Sequence, residues 1–126
     1  MNSDTEKDLK QLLAYTSYQK IYVITGKTDL RKGIDGLATF VKEEFDLDPF
    51  NNALFLFCGT KMDRFKALVW ESDGFLLFYK RLENGRLLWP RKDSAAKLIT
   101  QTQLKRFLQG FPLSPSVQPA TIGAWY

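Results

Sequence analysis

Apolar positions change their period along the chain, and each change marks an element. Leu30, Ile34, Leu37, Val41 and Phe45 recur at helical spacing. They predict one amphipathic helix from Thr28, its cap, to about Phe45. Asp48-Pro49 punctuates its end. Gly33 and Gly36 lie inside this span, and each costs up to about 1 kcal/mol relative to Ala, so a close backbone approach is expected there. Residues 20–25 (KIYVIT) read as a strand that Gly26-Lys27 ends. Residues 53–58 (ALFLFC) are apolar at every position, as an interior strand requires.

Residues 64–71 and 75–82 flank Ser72-Asp73-Gly74 and predict a β-hairpin. Glu83-Asn84-Gly85-Arg86 is a second turn, Leu87-Leu88-Trp89 a short strand that Pro90 ends, and Lys97-Leu98-Ile99 another. Thr100 and Gln103 have capping-box spacing ahead of Leu104, Phe107 and Leu108, and Gly110 stops this last helix. At the amino end, residues 3–16 predict a short helix with a narrow leucine stripe. The tail from Phe111 carries Pro112, Pro115 and Pro119 and reads as irregular.

The expected class is α+β: an antiparallel β-meander with one main helix packed on it and a short C-terminal helix. The expected organisation is an N-terminal helical arm over 1–17, a single domain over 18–110 and an irregular tail over 111–126.

Composition narrows the chemistry. The 126 residues contain no histidine and one cysteine, Cys58. The commonest general base and metal ligand is therefore absent, and neither a zinc site nor an internal disulfide can be assembled. No stretch is long and apolar enough for a membrane span, and no secretory signal is visible, so a cytoplasmic location is expected. The net charge of +4 is modest, but it is unevenly spread. Residues 37–50 set one lysine against four carboxylates, whereas residues 79–106 set eight cations against two. A cluster of the second kind is either a solvated surface or the footprint of a polyanion site.

Gly26-Lys27-Thr28 lies between a strand and a helix, but a nucleotide-binding loop needs another glycine five positions earlier, where Ile21 stands. With the helix starting at Thr28, Arg31 and Lys32 fall in its first turn, where the macrodipole disfavours cations. Lys27, Thr28, Arg31 and Lys32 beside free helix amides would form a phosphate pocket. The competing reading leaves both cations in solvent.

In the hairpin, a two-residue Asp73-Gly74 turn sets Trp70 opposite Leu77, Leu68 opposite Tyr79 and Lys66 opposite Arg81. One face then carries Arg64, Lys66, Trp70, Tyr79 and Arg81, aromatic rings amid cations, which suits stacked bases and phosphates. The bland alternative packs Trp70 into the core. Lys80 falls on the core face and fits only at the sheet's margin. Two cations directly opposite, Lys66 and Arg81, repel unless an anion lies between them. Glu83 is expected to pair with Arg64. The carboxylates Asp29, Asp35, Glu71, Asp73, Glu83 and Asp93 show no convergent metal-binding pattern.

Thr28-Asp29-Leu30-Arg31-Lys32-Gly33-Ile34-Asp35-Gly36-Leu37, Ala53-Leu54-Phe55-Leu56-Phe57, Asp63-Arg64-Phe65-Lys66, Trp70, Asp73-Gly74-Phe75, Tyr79-Lys80-Arg81-Leu82-Glu83, Gly85-Arg86 and Trp89-Pro90 occur in order. Through them the chain resembles the TnpB accessory protein of insertion-sequence family sixty-six, over about residues 20–110. That resemblance implies a role in transposition beside a separate, larger transposase. Where the family often has an arginine-rich turn, this chain has Gly59-Thr60-Lys61-Met62, with one cation.

The combined expectation is a non-catalytic accessory protein without cofactor or metal. It contacts DNA through Lys27, Arg31, Lys32, Arg64, Lys66, Trp70, Tyr79, Lys80, Arg81 and Arg86, and its partner is the transposase of the same element. Arg31, Lys32, Lys66, Lys80, Arg81 and Arg86 are expected to outweigh the cations after Pro90. The alternative is a protein–protein adaptor for that transposase with no DNA contact, motivated by the acidic 37–50 segment and the apolar tail ending in Trp125-Tyr126.

Overall fold

Apolar side chains on both faces of the central strands decide the architecture. A computed structural model describes residues 20–113 together with the backbone of Gln118–Pro119. The N-terminal arm and most of the tail lie outside the described residues. In chain order the elements are β1 (Lys20–Ile24), α1 (Ile34–Phe45), β2 (Ala53–Cys58), β3 (Arg64–Glu71), β4 (Gly74–Arg81), β5 (Ala96–Ile99), α2 (Gln101–Leu108) and the two-residue β6 (Gln118–Pro119). The strands form one sheet in the order β4-β3-β2-β1-β5-β6.

The class is α+β, with one main helix and a short C-terminal one. β2, β3 and β4 are the expected antiparallel meander. The sequence reading did not anticipate the partners of β1. It pairs parallel with β2, with α1 as the crossover, and antiparallel with β5. The sheet is therefore mixed, and it is covered on both faces, which explains why all six residues of β2 are buried.

One face packs Leu37, Val41 and Phe45 of α1 against Tyr22, Ile24, Phe55, Phe57 and Leu68. The other packs Leu104, Phe107 and Leu108 of α2, with Leu87 and Trp89, against Ile21, Val23, Leu54, Leu56, Phe65, Ala67 and Val69. Residues 87–89 form no strand. Leu87 and Trp89 are instead pinned individually, Leu87 N–H to Met62 O at 2.8 Å and Trp89 Nε1 to Ile24 O at 2.9 Å.

α2 begins with the full capping box. Thr100 Oγ1 accepts from Gln103 N, and Gln103 Oε1 accepts from Thr100 N. α1 ends at Asp46, whose left-handed φ of 54° stops the helix before Asp48-Pro49.

Two expectations are corrected. First, α1 starts at Ile34, with Gly33 as a cap that makes no side-chain bond. Asp29 is the reason. Its Oδ1 accepts from Arg31 N at 3.0 Å and its carbonyl accepts from Lys32 N at 3.1 Å, closing a separate turn ahead of the helix. Arg31 and Lys32 thus precede the first turn, which holds Asp35, the sign the macrodipole favours. The expected close approach occurs at Gly36, where a Cβ would lie 3.1 Å from Lys32 Cβ, but nothing crowds Gly33.

Second, the hairpin turn is Ser72-Asp73, and Glu71 pairs with Gly74. The register is two residues from the expected one. Trp70 now meets Phe75, their ring centroids 5.0 Å apart, and both rings pack against Phe50.

Candidate nucleic-acid interface

The chain leaves β1 through a loop tied down along its length. Thr25 Oγ1 donates to Asp93 O and accepts from Ala95 N at 2.9 Å. Gly26 N donates to Pro90 O at 2.8 Å. Gly26 has φ +78°, which favours glycine, and a Cβ there would lie 2.9 Å from Ser94 Oγ, which would have to turn aside. Thr28 N then donates to Cys58 O at 2.8 Å, joining this loop to the end of β2. At Gly59 a Cβ would lie 3.2 Å from Leu30 Cγ, so the two loops approach closely there and any larger residue would have to displace the Leu30 side chain by a few tenths of an ångström.

Arg91 fastens the same junction. Its guanidinium donates to Gly26 O at 3.0 Å, to Gly59 O and to Thr60 O at 3.4 Å. These two loops and the adjoining face of the β3–β4 hairpin enclose an open cleft of about 800 Å³. Lys27, Thr28, Arg31, Lys61, Arg64, Lys66 and Tyr79 line it, with Leu30 and Leu77 as its apolar part.

Five cations stand there against one carboxylate, Asp29. Arg31 binds that carboxylate in bidentate fashion, Nε to Oδ1 at 3.0 Å and a terminal nitrogen to Oδ2 at 2.9 Å. The Arg31 hydrogen bonds hold the Asp29 carboxyl down at about 2, and the same pair raises the Arg31 pKa. The Arg31 side chain is nonetheless 91% exposed, so an incoming anion can reach it. Arg64 holds Asp63 at 2.8 Å, which lowers the pKa of Asp63 and raises that of Arg64.

Lys66 donates to Lys32 O at 3.1 Å and places its ammonium 5.8 Å from the centroid of Tyr79, its register partner. Thr28 is 4% exposed, and its Oγ1 has no hydrogen-bond partner among the described residues. A buried hydroxyl left this way forgoes the hydrogen bond that most such groups make.

The expected residues do not all meet. Lys27, Arg31, Arg64, Lys66 and Tyr79 share the cleft. The two-residue register slip leaves every side chain on its expected face, because sides alternate with a period of two. It does change the pairs: Arg64, not Lys66, stands opposite Arg81. That juxtaposition needs no external anion, since Arg64 has Asp63 and Arg81 has Glu83 at 2.9 Å. Glu83 therefore pairs with Arg81 and not with Arg64.

The other expected residues lie elsewhere. Lys32 turns to another hollow beside Phe40, Glu43 and Glu44. Trp70 belongs to the Phe50–Phe75 cluster, four register pairs and so about 13 Å along the strands from Tyr79. Lys80 sits half-buried on the opposite face of β4, the edge strand, where the margin accommodates it. Arg86 is exposed on the loop after β4.

Sequence reasoning passed over Lys61 and Arg91. The Gly59–Met62 turn has one cation where the family often has an arginine-rich turn, yet that cation, Lys61, lines the cleft. Arg91 was placed among the less important cations after Pro90. Its position next to Trp89-Pro90, which ties residues 89–90 to the β1 end, is the signal that could have found it. Cys58 is buried, its thiol donates to carbonyls of Lys61 and Arg64, and burial pushes its pKa up. Among the described residues no three of Cys, Asp and Glu converge as a metal site would require, and no helix is long and apolar enough to cross a membrane.

Comparison with known proteins gives one family, described as IS66 Orf2 like protein, which matches residues 19–118. Two proteins of Sinorhizobium fredii are similar. The uncharacterized protein y4hO is 36% identical over 91 residues, 72% of this chain and 79% of its own length. The uncharacterized protein y4jC is 34% identical over 77 residues, 60% of this chain and 66% of its own length. No solved structure matches the chain.

Proposed function

The chain belongs to the IS66 Orf2 like family of insertion-sequence accessory proteins, and on that premise we propose that it is a non-catalytic, cytoplasmic accessory factor of transposition that contacts DNA through the cleft. The observation that carries this reading is the gathering of Lys27, Arg31, Lys61, Arg64 and Lys66, from two loops and a strand, around one concavity with a single carboxylate. Phosphates are the ligands that such a constellation attracts, and binding through them weakens steeply with salt. The absence of histidine from the whole sequence supports the non-catalytic part.

A mobility-shift titration with element-end DNA at low and moderate salt tests the reading. Lys27→Glu combined with Lys61→Glu, both at exposed positions, should abolish the shift in a folded protein. Binding that survives the double charge reversal refutes the cleft as the DNA site.

A second reading has its own observation. Phe50, 55% exposed, packs edge-on against Trp70 and tilted against Phe75 at the far end of the hairpin, and shares a hollow with Asp46 and Asp48 at the end of α1. An exposed aromatic cluster rimmed by charge is the kind of surface that docks proteins. On this reading the chain is an adaptor for the transposase. Pull-down with the transposase separates the two readings, since association that persists after nuclease treatment favours the adaptor.

A further inference from the structure

We propose that the cleft receives an unpaired nucleotide of single-stranded DNA, its base stacked on Tyr79 and its flanking phosphates held among Lys27, Arg31 and Lys61. This rests on the DNA-contact reading above and narrows it to one strand state.

The lining is not that of a phosphate groove alone. Tyr79 is 54% exposed, although the rest of β4 from Gly74 to Phe78 is half-buried. Leu30 and Leu77 continue its apolar surface, and the cations surround it. A B-form duplex keeps its base faces stacked inward, so it offers the Tyr79 ring no π-face to stack on. An unpaired base has a free π-face, and an aromatic ring among cations is the arrangement that holds single strands without reading their sequence. Lys66, anchored on Lys32 O, fixes a cation 5.8 Å from the Tyr79 centroid.

The space agrees with this. About 800 Å³ falls within the roughly 300–1,000 Å³ of sites that enclose small molecules, which is room for one nucleotide and its neighbours' phosphates. Thr28 adds an independent sign. It lines the same cleft and carries the buried hydroxyl that has no hydrogen-bond partner among the described residues.

The test is fluorescence polarisation with an oligothymidylate dodecamer and a dodecamer duplex, each at two salt concentrations. The single strand should bind at least about fivefold more tightly, an expectation set by the stacking of one base. Tyr79→Ala should weaken single-strand binding by about 5- to 150-fold, the equivalent of one stacked base, and leave duplex binding and both salt slopes unchanged. Tyr79→Phe keeps the ring and should bind as the parent does.

Equal affinity of the parent protein for both DNAs would overturn the inference while leaving DNA contact intact. So would equal losses for both DNAs in Tyr79→Ala, or a Tyr79→Phe variant as weak as the alanine. Failure of the parent to bind either DNA would remove the DNA-contact reading itself. Unfolding midpoints of the variants confirm that the fold is kept.

Discussion

Arg91 offers the sharpest test of how the cleft is built. Arg91→Met keeps the aliphatic stem and removes the guanidinium that joins Gly26 O to Gly59 O and Thr60 O. A hydrogen bond from a charged donor is worth about 1.5–3 kcal/mol. Two of the three bonds are short, and the freed carbonyls are only partly buried, so water recovers some of the loss. The expected cost is about 2–3 kcal/mol. With a urea slope of about 1–3 kcal/mol per molar, the unfolding midpoint should fall by about 0.7–3 M.

DNA affinity should fall as well, because the loops carrying Lys27 and Lys61 lose their common anchor. The salt slope should stay where it was, whereas a lost phosphate contact lowers it by about one. Arg91→Lys separates charge from geometry. One ammonium cannot span carbonyls on two loops as a planar fork does, so lysine should recover only part of the stability. A lysine variant as stable as the parent would refute the staple, as would an unshifted midpoint in the methionine variant. A slope reduced by one would make Arg91 a contact residue.

Three further outcomes follow from the same geometry. Thr28→Val removes a buried hydroxyl without a partner among the described residues and should raise stability by about 1 kcal/mol in urea titration; a loss would mean that the hydroxyl is satisfied. Asp29→Asn should strengthen DNA binding a few-fold by releasing Arg31, and carboxyl NMR should find Asp29 titrating near 2. Because that pKa is depressed, the Asp29–Arg31 pair contributes fully above the ordinary value of 3.8 and is lost as pH falls toward 2; titration near 3.8 would show the pair unformed. Thr100→Ala should cost about 1 kcal/mol through the lost capping box, read as a lowered unfolding midpoint.

What the sequence disclosed tracks how local each interaction is. The α2 cap was legible because Thr100 and Gln103 satisfy each other within three residues. The faces of the hairpin were legible because a slip of two residues does not alter them. The register was not, since Ser72-Asp73 and Asp73-Gly74 both make acceptable two-residue turns, and Phe50, a distant residue, completes the cluster that the observed choice forms.

The start of α1 was misplaced because Thr28-Asp29 resembles a helix cap. The Asp29–Arg31 turn and Gly33 were the competing signals. The parallel β1–β2 pair left no local mark. No cation of the basic run over 79–106 lines the cleft. Arg91 turns inward to staple loops, Lys80 lies on the other face, and Arg86 stands on a separate turn. The cleft draws its cations from residues 27–66 instead.

The position of β1 between β2 and β5 has a consequence for biosynthesis. β1 is made early, yet one of its neighbours, β5, emerges about seventy residues later, as the Thr25–Ala95 bond records. Contacts that span so much chain must close a long loop before they stabilise anything, which slows folding. On the ribosome, Lys27, Arg31, Lys61, Arg64, Lys66 and Tyr79 are all translated before Pro90 and Arg91 arrive to fix the Gly26 loop. A nascent chain, or one truncated before residue 90, would carry the whole basic set with no cleft to organise it. Such a fragment should bind polyanions loosely and without preference for strand state.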